Sequence, residues 1–263
     1  MYNEIIEKFI AAQQAARQAY QDAANFERDM LAGTGTEEPF FAVGVRPDHR
    51  QNNELEKFCQ SLAGNVVSRA RREFAPAGAR LDIDNSAEYE RAGLDIQKAL
   101  RKGDIPDLDK LWASLTAHYK GDGGAATAYR QAASRIVRNF GLHRNAEVKR
   151  TAAGVVLKKT VYTEASYRSS RRRVGYHSTQ PTADCLMGLA TFAGKAGNAL
   201  LAKQLGGINL YELEYVSREK IAMPGLDITL FNDKWEFKFC NELAEALMLF
   251  IGEYGQDAMQ ELR

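Results

Sequence analysis

Two hydrophobic periodicities divide this chain and set what it can fold into. From Met1 to about residue 140 apolar residues recur every three or four positions, the spacing of amphipathic helices. Beyond Gly141 the texture turns β-branched, aromatic and alternating, the spacing of half-buried strands. Ile5, Phe9, Ala12, Ala16, Tyr20, Ala23 and Met30 lie near one face of a helix that covers the first thirty residues, with no proline before Pro39 and "GTGTEEP" to end it. A second helix is predicted over Asn53 to Phe74, and a third from Ser86 or Asn85 as N-cap to Lys102 and Gly103. Pro106 to Tyr119 and Ala125 to Phe140 make a fourth and fifth.

In the second part "GVVLKKTVYTEASY" is predicted as strand, with the "SYRSSRRRVGYHS" segment as the return strand of its hairpin. Pro181 to Leu205 reads as a helix with Pro181 near its first position and Gly206-Gly207 beyond its end. "NLYELEYV" and "LDITLFNDKWEFKFC" read as strands, and Asn241 as the cap of a last helix through "ELAEALMLFIGEY". The class is α+β: a helical N-terminal half, and a small antiparallel sheet with flanking helices in the C-terminal half. Residues 1–140 are expected to form the helical region and 141–263 the α+β region, in two parts or as one compact domain.

No stretch approaches the roughly 18 consecutive apolar residues of a membrane-spanning helix. The N-terminus, with Glu4 and Glu7 and no short apolar core, lacks the pattern of a secretory signal, so a cytoplasmic chain is expected. Cys59, Cys185 and Cys240 are far apart and form no C-x-x-C pair, and neither they nor His49, His118, His143 and His177 have zinc-ligand spacing. The thiols read as reduced and largely buried. The sequence implies no cofactor and no metal.

Net charge is +1, yet its distribution is uneven. Met1 to Tyr129 holds 16 basic and 20 acidic residues, Arg130 to Arg173 holds 12 and 2, and Val174 onward holds 7 and 12. Within the central block Arg135 and Arg138 share a helix face, Lys158 and Lys159 lie on a strand, and Tyr167, Arg168, Arg171, Arg172, Arg173 and Tyr176 interleave cations with aromatic rings. Three readings fit: direct nucleic-acid contact, an interface with a protein that itself handles nucleic acid, or a solvated hairpin whose arginines pair with the chain's own acidic segments.

The hairpin "LDITLFNDKWEFKF" fixes its own register. With Asn232-Asp233 as a two-residue turn, Leu230 faces Trp235, Thr229 faces Glu236, Ile228 faces Phe237 and Asp227 faces Lys238. Ile228, Leu230, Trp235, Phe237 and Phe239 then share one face, and Asp227, Thr229, Glu236 and Lys238 the other. An Asp on one strand beside Glu-x-Lys on the next resembles the metal-dependent nucleases of the PD-(D/E)xK type. That resemblance implies Asp227 and Glu236 as Mg²⁺ ligands and Lys238 as an aid to water activation. Gly225-Leu226 stand where that family has a proline before the aspartate, and a half-exposed hairpin shows the same alternation without any chemistry.

"GLATFAGKAGN" fails the phosphate-loop pattern, with five residues between Gly188 and Gly194 and Ala196 in place of Ser or Thr. The glycines of "HYKGDGGAATAYR" read as an interhelical linker rather than an anion site, and no nucleophile elbow is present.

"LWASLTAHYKGDGGAATAYRQAASRIVRNFG" followed by "LDITLFNDKWEFKFCNELAEALMLFIGEYG" resembles a family of uncharacterised phage and plasmid proteins, some fused to DNA adenine methyltransferases. The likeness spans about Leu111 to Gly255, with Asn-Asp at the hairpin turn where the family has Asn-Gly. It implies a mobile-element setting and carries over no catalytic residue. The function expected from that setting is a non-enzymatic protein that binds and inhibits a host nucleic-acid-handling complex, of the anti-CRISPR or anti-restriction type, with the arginine segment as anchor. A DNA- or RNA-binding module accessory to DNA modification, and the Mg²⁺-dependent nuclease, are the other readings.

Overall fold

The structure, a computed structural model, describes residues 1–35, 42–44, 48–144, 148–152, 154–166 and 169–260, without the side chains of Asp48, His49 and Arg144. The class is α+β, with a helical N-terminal half and small antiparallel sheets among helices in the C-terminal half. Two compact units form: one from Met1–Ala70 and Ile83–His118, the other from Arg71–Asp82 and Tyr119–Arg263. The division does not follow the change of texture near residue 140, because the helix before it joins the sheets.

The first unit is all helical: α1 (Tyr2–Ala32), α2 (Asp48–Phe74, up to Ala70), α3 (Asn85–Ala92), α4 (Ile96–Arg101) and α5 (Leu108–Tyr119, up to His118). Ile6, Cys59, Ala63, Val66, Val67, Leu108, Leu111 and Leu115 form its buried centre. Phe9 stacks on Phe58 at 4.0 Å between centroids, and the Arg69 guanidinium lies 4.5 Å over the Trp112 ring while donating to the Tyr2 hydroxyl. The start of α1 and the start of α5 cap one another. Asn3 Oδ1 accepts from the amides of Leu108 and Asp109, and the Asp109 carboxylate accepts from the amides of Tyr2 and Asn3. These bonds satisfy helix donors that have no partner inside their own helices.

The helix expected from residue 85 to 102 is two helices. Asp84, not Ser86 or Asn85, is the N-cap, accepting from the amides of Ser86 and Ala87, and Gly93 at φ 67° closes α3 in a conformation that costs glycine little. Asp95 then restarts the chain as the cap of α4, accepting from Lys98 N. The second helix begins at Asp48, five residues before the expected start.

The second unit carries a five-stranded antiparallel sheet of order β1-β2-β8-β7-β6 and a three-stranded one of order β3-β4-β5. The strands are β1 (Lys149–Thr151), β2 (Gly154–Thr160), β3 (Thr163–Ala165), β4 (Arg172–Val174), β5 (Glu214–Tyr215), β6 (Glu219–Met223), β7 (Leu226–Leu230) and β8 (Lys234–Phe239). Helices α6 (Asp122–Asn139), α7 (Tyr176–Lys195), α8 (Ala199–Gly206), α9 (Asn241–Tyr254) and α10 (Gln256–Gln260) complete it. The inner face of the large sheet, with Ile228, Leu230, Trp235, Phe237 and Phe239, shares one core with Ile136, Leu189, Phe192 and Phe250 from α6, α7 and α9.

The β7–β8 register is the expected one, pair for pair, with Phe231 N donating to Lys234 O across the turn. Other expectations need correction. The stretch from Gly154 to Ser166 carries two strands in different sheets, parted where Val161 N donates to Asp233 O. Of "NLYELEYV" only Glu214–Tyr215 pairs, and β6 was not expected from sequence. Pro181 is the sixth residue of α7, on its exposed side, where it forgoes one helix bond. That segment is also two helices, α8 starting afresh with Asn198 capping Leu201 N. Cys240, not Asn241, is the N-cap position of α9, and Asn241 Nδ2 donates to Ala152 O.

Candidate functional site

Arg171, Arg172 and Arg173 bond to neighbours of the same chain, Arg171 and Arg173 to half-exposed acidic ones. Tyr167 and Arg168 lie outside the described residues. The Arg171 guanidinium pairs with Glu219 at 2.6 Å and donates from Nε to Glu214 O. Arg172 binds Thr163 twice, through Oγ1 at 2.8 Å and the carbonyl at 2.9 Å. Arg173 is flanked in register by Glu164 on β3 and Glu214 on β5, and pairs with Glu164 at 3.3 Å. The hydroxyls of Ser166 and Ser169 donate to the Glu214 carboxylate. Three strands of two or three residues have little ladder to hold them, and these charge-assisted bonds tie them together.

The remaining members of the basic block scatter. Arg135, on α6, forms an ion pair with Asp82, and Arg138 is exposed on the last turn of the same helix. Lys158 and Lys159 point to opposite faces of β2. Lys159 sits opposite Trp235 on the inner face, 5% exposed, with Nζ 2.6 Å from Asn139 Oδ1, and burial lowers its pKa. Lys158 is on the outer face and exposed. Tyr176 is 82% exposed at the start of α7.

The outer face of the five-stranded sheet gathers what the linear sequence separates. Strand pairing puts Lys149 beside Val156, Val156 beside Lys238, Lys158 beside Glu236, Thr160 beside Lys234, and Lys220 beside Thr229. Five lysines, Lys149, Lys158, Lys220, Lys234 and Lys238, therefore share this face with two carboxylates, Asp227 and Glu236, and no buried large side chain. Lys234 is engaged, 3.4 Å from Glu236 and over the Phe231 ring; Lys149, Lys158, Lys220 and Lys238 are exposed. Tyr162, two residues past Thr160, is 61% exposed. Lys220 and Lys234 were not picked out from sequence; the signal lay in strand alternation, legible only once β6 and the β2–β8 pairing are known.

Asp227, Glu236 and Lys238 sit on this same face. Asp227 is opposite Lys238, and Glu236 lies between Thr229 and Lys158. Among the described residues no group of three or more His, Cys, Asp or Glu side chains is placed to hold a metal ion. The Cys59 thiol is pushed up to about 11 and the Cys185 thiol to about 12 by burial, so both are protonated core groups. A cavity of about 590 Å³ beside α9 and α10 is lined, among the described residues, by apolar and amide side chains and one imidazole, His143.

No helix among the described residues is long and apolar enough to cross a membrane. Comparison with protein-family models, curated proteins and solved structures finds no match to this chain.

Proposed function

We propose that this chain is a binding protein that contacts nucleic acid through the outer face of its five-stranded sheet. The observation that supports it most directly is the concentration of exposed lysines on one open face with only two carboxylates among them. Lysines on such a face neutralise phosphates and release counterions, which binds a polyanion without reading its sequence. The arginine segment, whose bonds run to Glu164, Glu214, Glu219 and Thr163, serves on this reading as the scaffold of the small sheet rather than as the contact.

A second reading takes the mobile-element setting further: a protein that inhibits a host nucleic-acid-handling complex, with the complex itself as partner. The observation favouring it is the exposure of Tyr162, Tyr176 and Tyr211, at 61%, 82% and 82%, since tyrosine is a favoured anchor at protein interfaces. A fluorescence-anisotropy titration of labelled single- and double-stranded DNA and RNA, with Mg²⁺ present and the probes checked for cleavage, separates these readings. Binding that weakens on Lys158→Ala with Lys238→Ala supports the sheet face. Absence of binding refutes it and leaves the protein-partner reading. Mg²⁺-dependent cleavage lost on Asp227→Asn establishes the nuclease instead.

A further inference from the structure

We infer that α1 is a self-association element, and that its occupant is α1 of a second copy lying antiparallel along it. The helix runs 31 residues, about 46 Å at 1.5 Å per residue. Its only fully buried residues are Tyr2 and Ile6; beyond them Gln13, Gln21, Ala24, Glu27 and Leu31 are half-buried along one side, and the side carrying Ala12, Ala19, Ala23, Phe26 and Met30 is exposed.

Along it runs a seam whose spacing alternates between four and three without a break. Ile5 and Phe9 begin it, Ala12, Ala16, Ala19 and Ala23 form its middle, and Phe26 and Met30 end it. That is the heptad spacing of a coiled coil. The four alanines are exposed, and Ile5, Phe26 and Met30 are 40%, 67% and 61% exposed. Phe9 is half-buried with one ring face stacked on Phe58, so the seam touches α2 there and only the outer side of that ring is open, while Ala12, Ala19, Ala23, Phe26 and Met30 are exposed. A row of phenylalanine and methionine left in water at the end of a helix has a hydrophobic reason to find a partner.

The seam is complementary to itself only in reverse. In an antiparallel pair Phe9 meets Phe26 of the other copy, Met30 meets Ile5, Ala16 meets Ala19 and Ala23 meets Ala12. Large residues fill both ends, and alanine faces alanine through the middle, where helix axes approach to about 8 Å. Each contact occurs twice, as a two-fold axis requires. The flanking charges agree. Lys8 falls beside Asp29 of the other copy, twice over, whereas a parallel pair in register sets Asp22 against Glu27. Charges at these flanks set partner and orientation.

Sedimentation equilibrium of the full chain from about 1 to about 100 µM tests the proposal, because a dimer depends on protomer concentration. A dimer mass at the upper end is expected, reduced to the monomer by Ala12→Glu with Ala19→Glu while the circular dichroism is unchanged. Lys8→Asp is expected to weaken the dimer on the order of threefold to tenfold, with Asp29→Lys in the same chain restoring it. A monomer throughout, or a dimer indifferent to the two glutamates, overturns the proposal. A dimer that the glutamates break but the charge exchange leaves unmoved overturns the antiparallel register.

Discussion

Removing lysines from the outer sheet face should change the salt dependence of nucleic-acid binding by an amount that can be worked out beforehand. Four exposed lysines, Lys149, Lys158, Lys220 and Lys238, are available to phosphates, Lys234 being held by Glu236 and Phe231. If each neutralises one phosphate, log K against log salt has a slope of about −3.6 on duplex and about −2.8 on single strands. Between about 50 and about 200 mM salt the affinity then falls roughly 150-fold on duplex and roughly 50-fold on single strands. Replacing Lys158, Lys220 and Lys238 with alanine leaves one contact and a slope near about −0.9 on duplex. These side chains are exposed, so stability should move by less than about 0.5 kcal/mol. Fluorescence anisotropy at four or more salt concentrations reads the slopes. Asp227→Asn with Glu236→Gln should tighten binding, since both carboxylates repel phosphate from the same face. A triple variant with the parental slope would falsify the placement of the site, and a slope that drops on Arg171→Ala instead would move it to the small sheet.

Three further outcomes test the fold. Gly154 has φ 141°, and a Cβ there would lie 1.9 Å from Phe239 O, so Gly154→Ala should part β2 from β8 and cost more than about 3 kcal/mol in urea unfolding; a loss below about 1 kcal/mol would show that the edge yields. Trp235 Nε1 donates to the Tyr215 hydroxyl at 3.1 Å in a fully buried site, so Tyr215→Phe should cost about 1–3 kcal/mol by thermal or urea denaturation, and an unchanged midpoint would mean the indole finds another acceptor. The pKa of Asp109 is lowered, chiefly by its bond from the Met1 amine, and that of Asp107 by its bond from Asn3. Carboxylates depressed in the folded state stabilise it fully above their unfolded value of 3.8, and that contribution is lost as pH falls through the lowered folded values. The protection of the Tyr2 and Asn3 amides against hydrogen exchange, relative to the intrinsic rate at each pH, should therefore fall under acid in that window, and Asp109→Asn should show the lost protection already at neutral pH; protection indifferent to both would remove the carboxylate from the helix start.

Much of the second unit's hairpin could be read from residues alone. "LFNDKW" has a two-residue turn between alternating runs, and each step of that alternation is enforced by neighbours one or two positions away. β6 escaped because "EKIAM" offers only Ile221 and Met223 on its inner side, too short a pattern to stand out. Asp84 rather than Asn85 capping α3, and the break at Gly93, lie within the reach of local signals but compete with equally good caps beside them. The basic block was legible as charge and not as surface. Whether Arg171 and Arg173 face a partner or the chain depends on Glu164, Glu214 and Glu219, and two of those lie more than forty residues away.

Lys158 and Lys159 show where local information ends. Sequence establishes that adjacent strand residues point to opposite faces, and with it the α+β class, most helices and the register of the β7–β8 hairpin. It cannot say which lysine is inside, because that is decided by β2 pairing with β8 so that Lys159 stands opposite Trp235 and Lys158 opposite Glu236. Periodicity is a property of neighbours along the chain, whereas burial, ion pairing and the charge of a surface are set by strands brought together across some eighty residues, and only the tertiary structure brings them there.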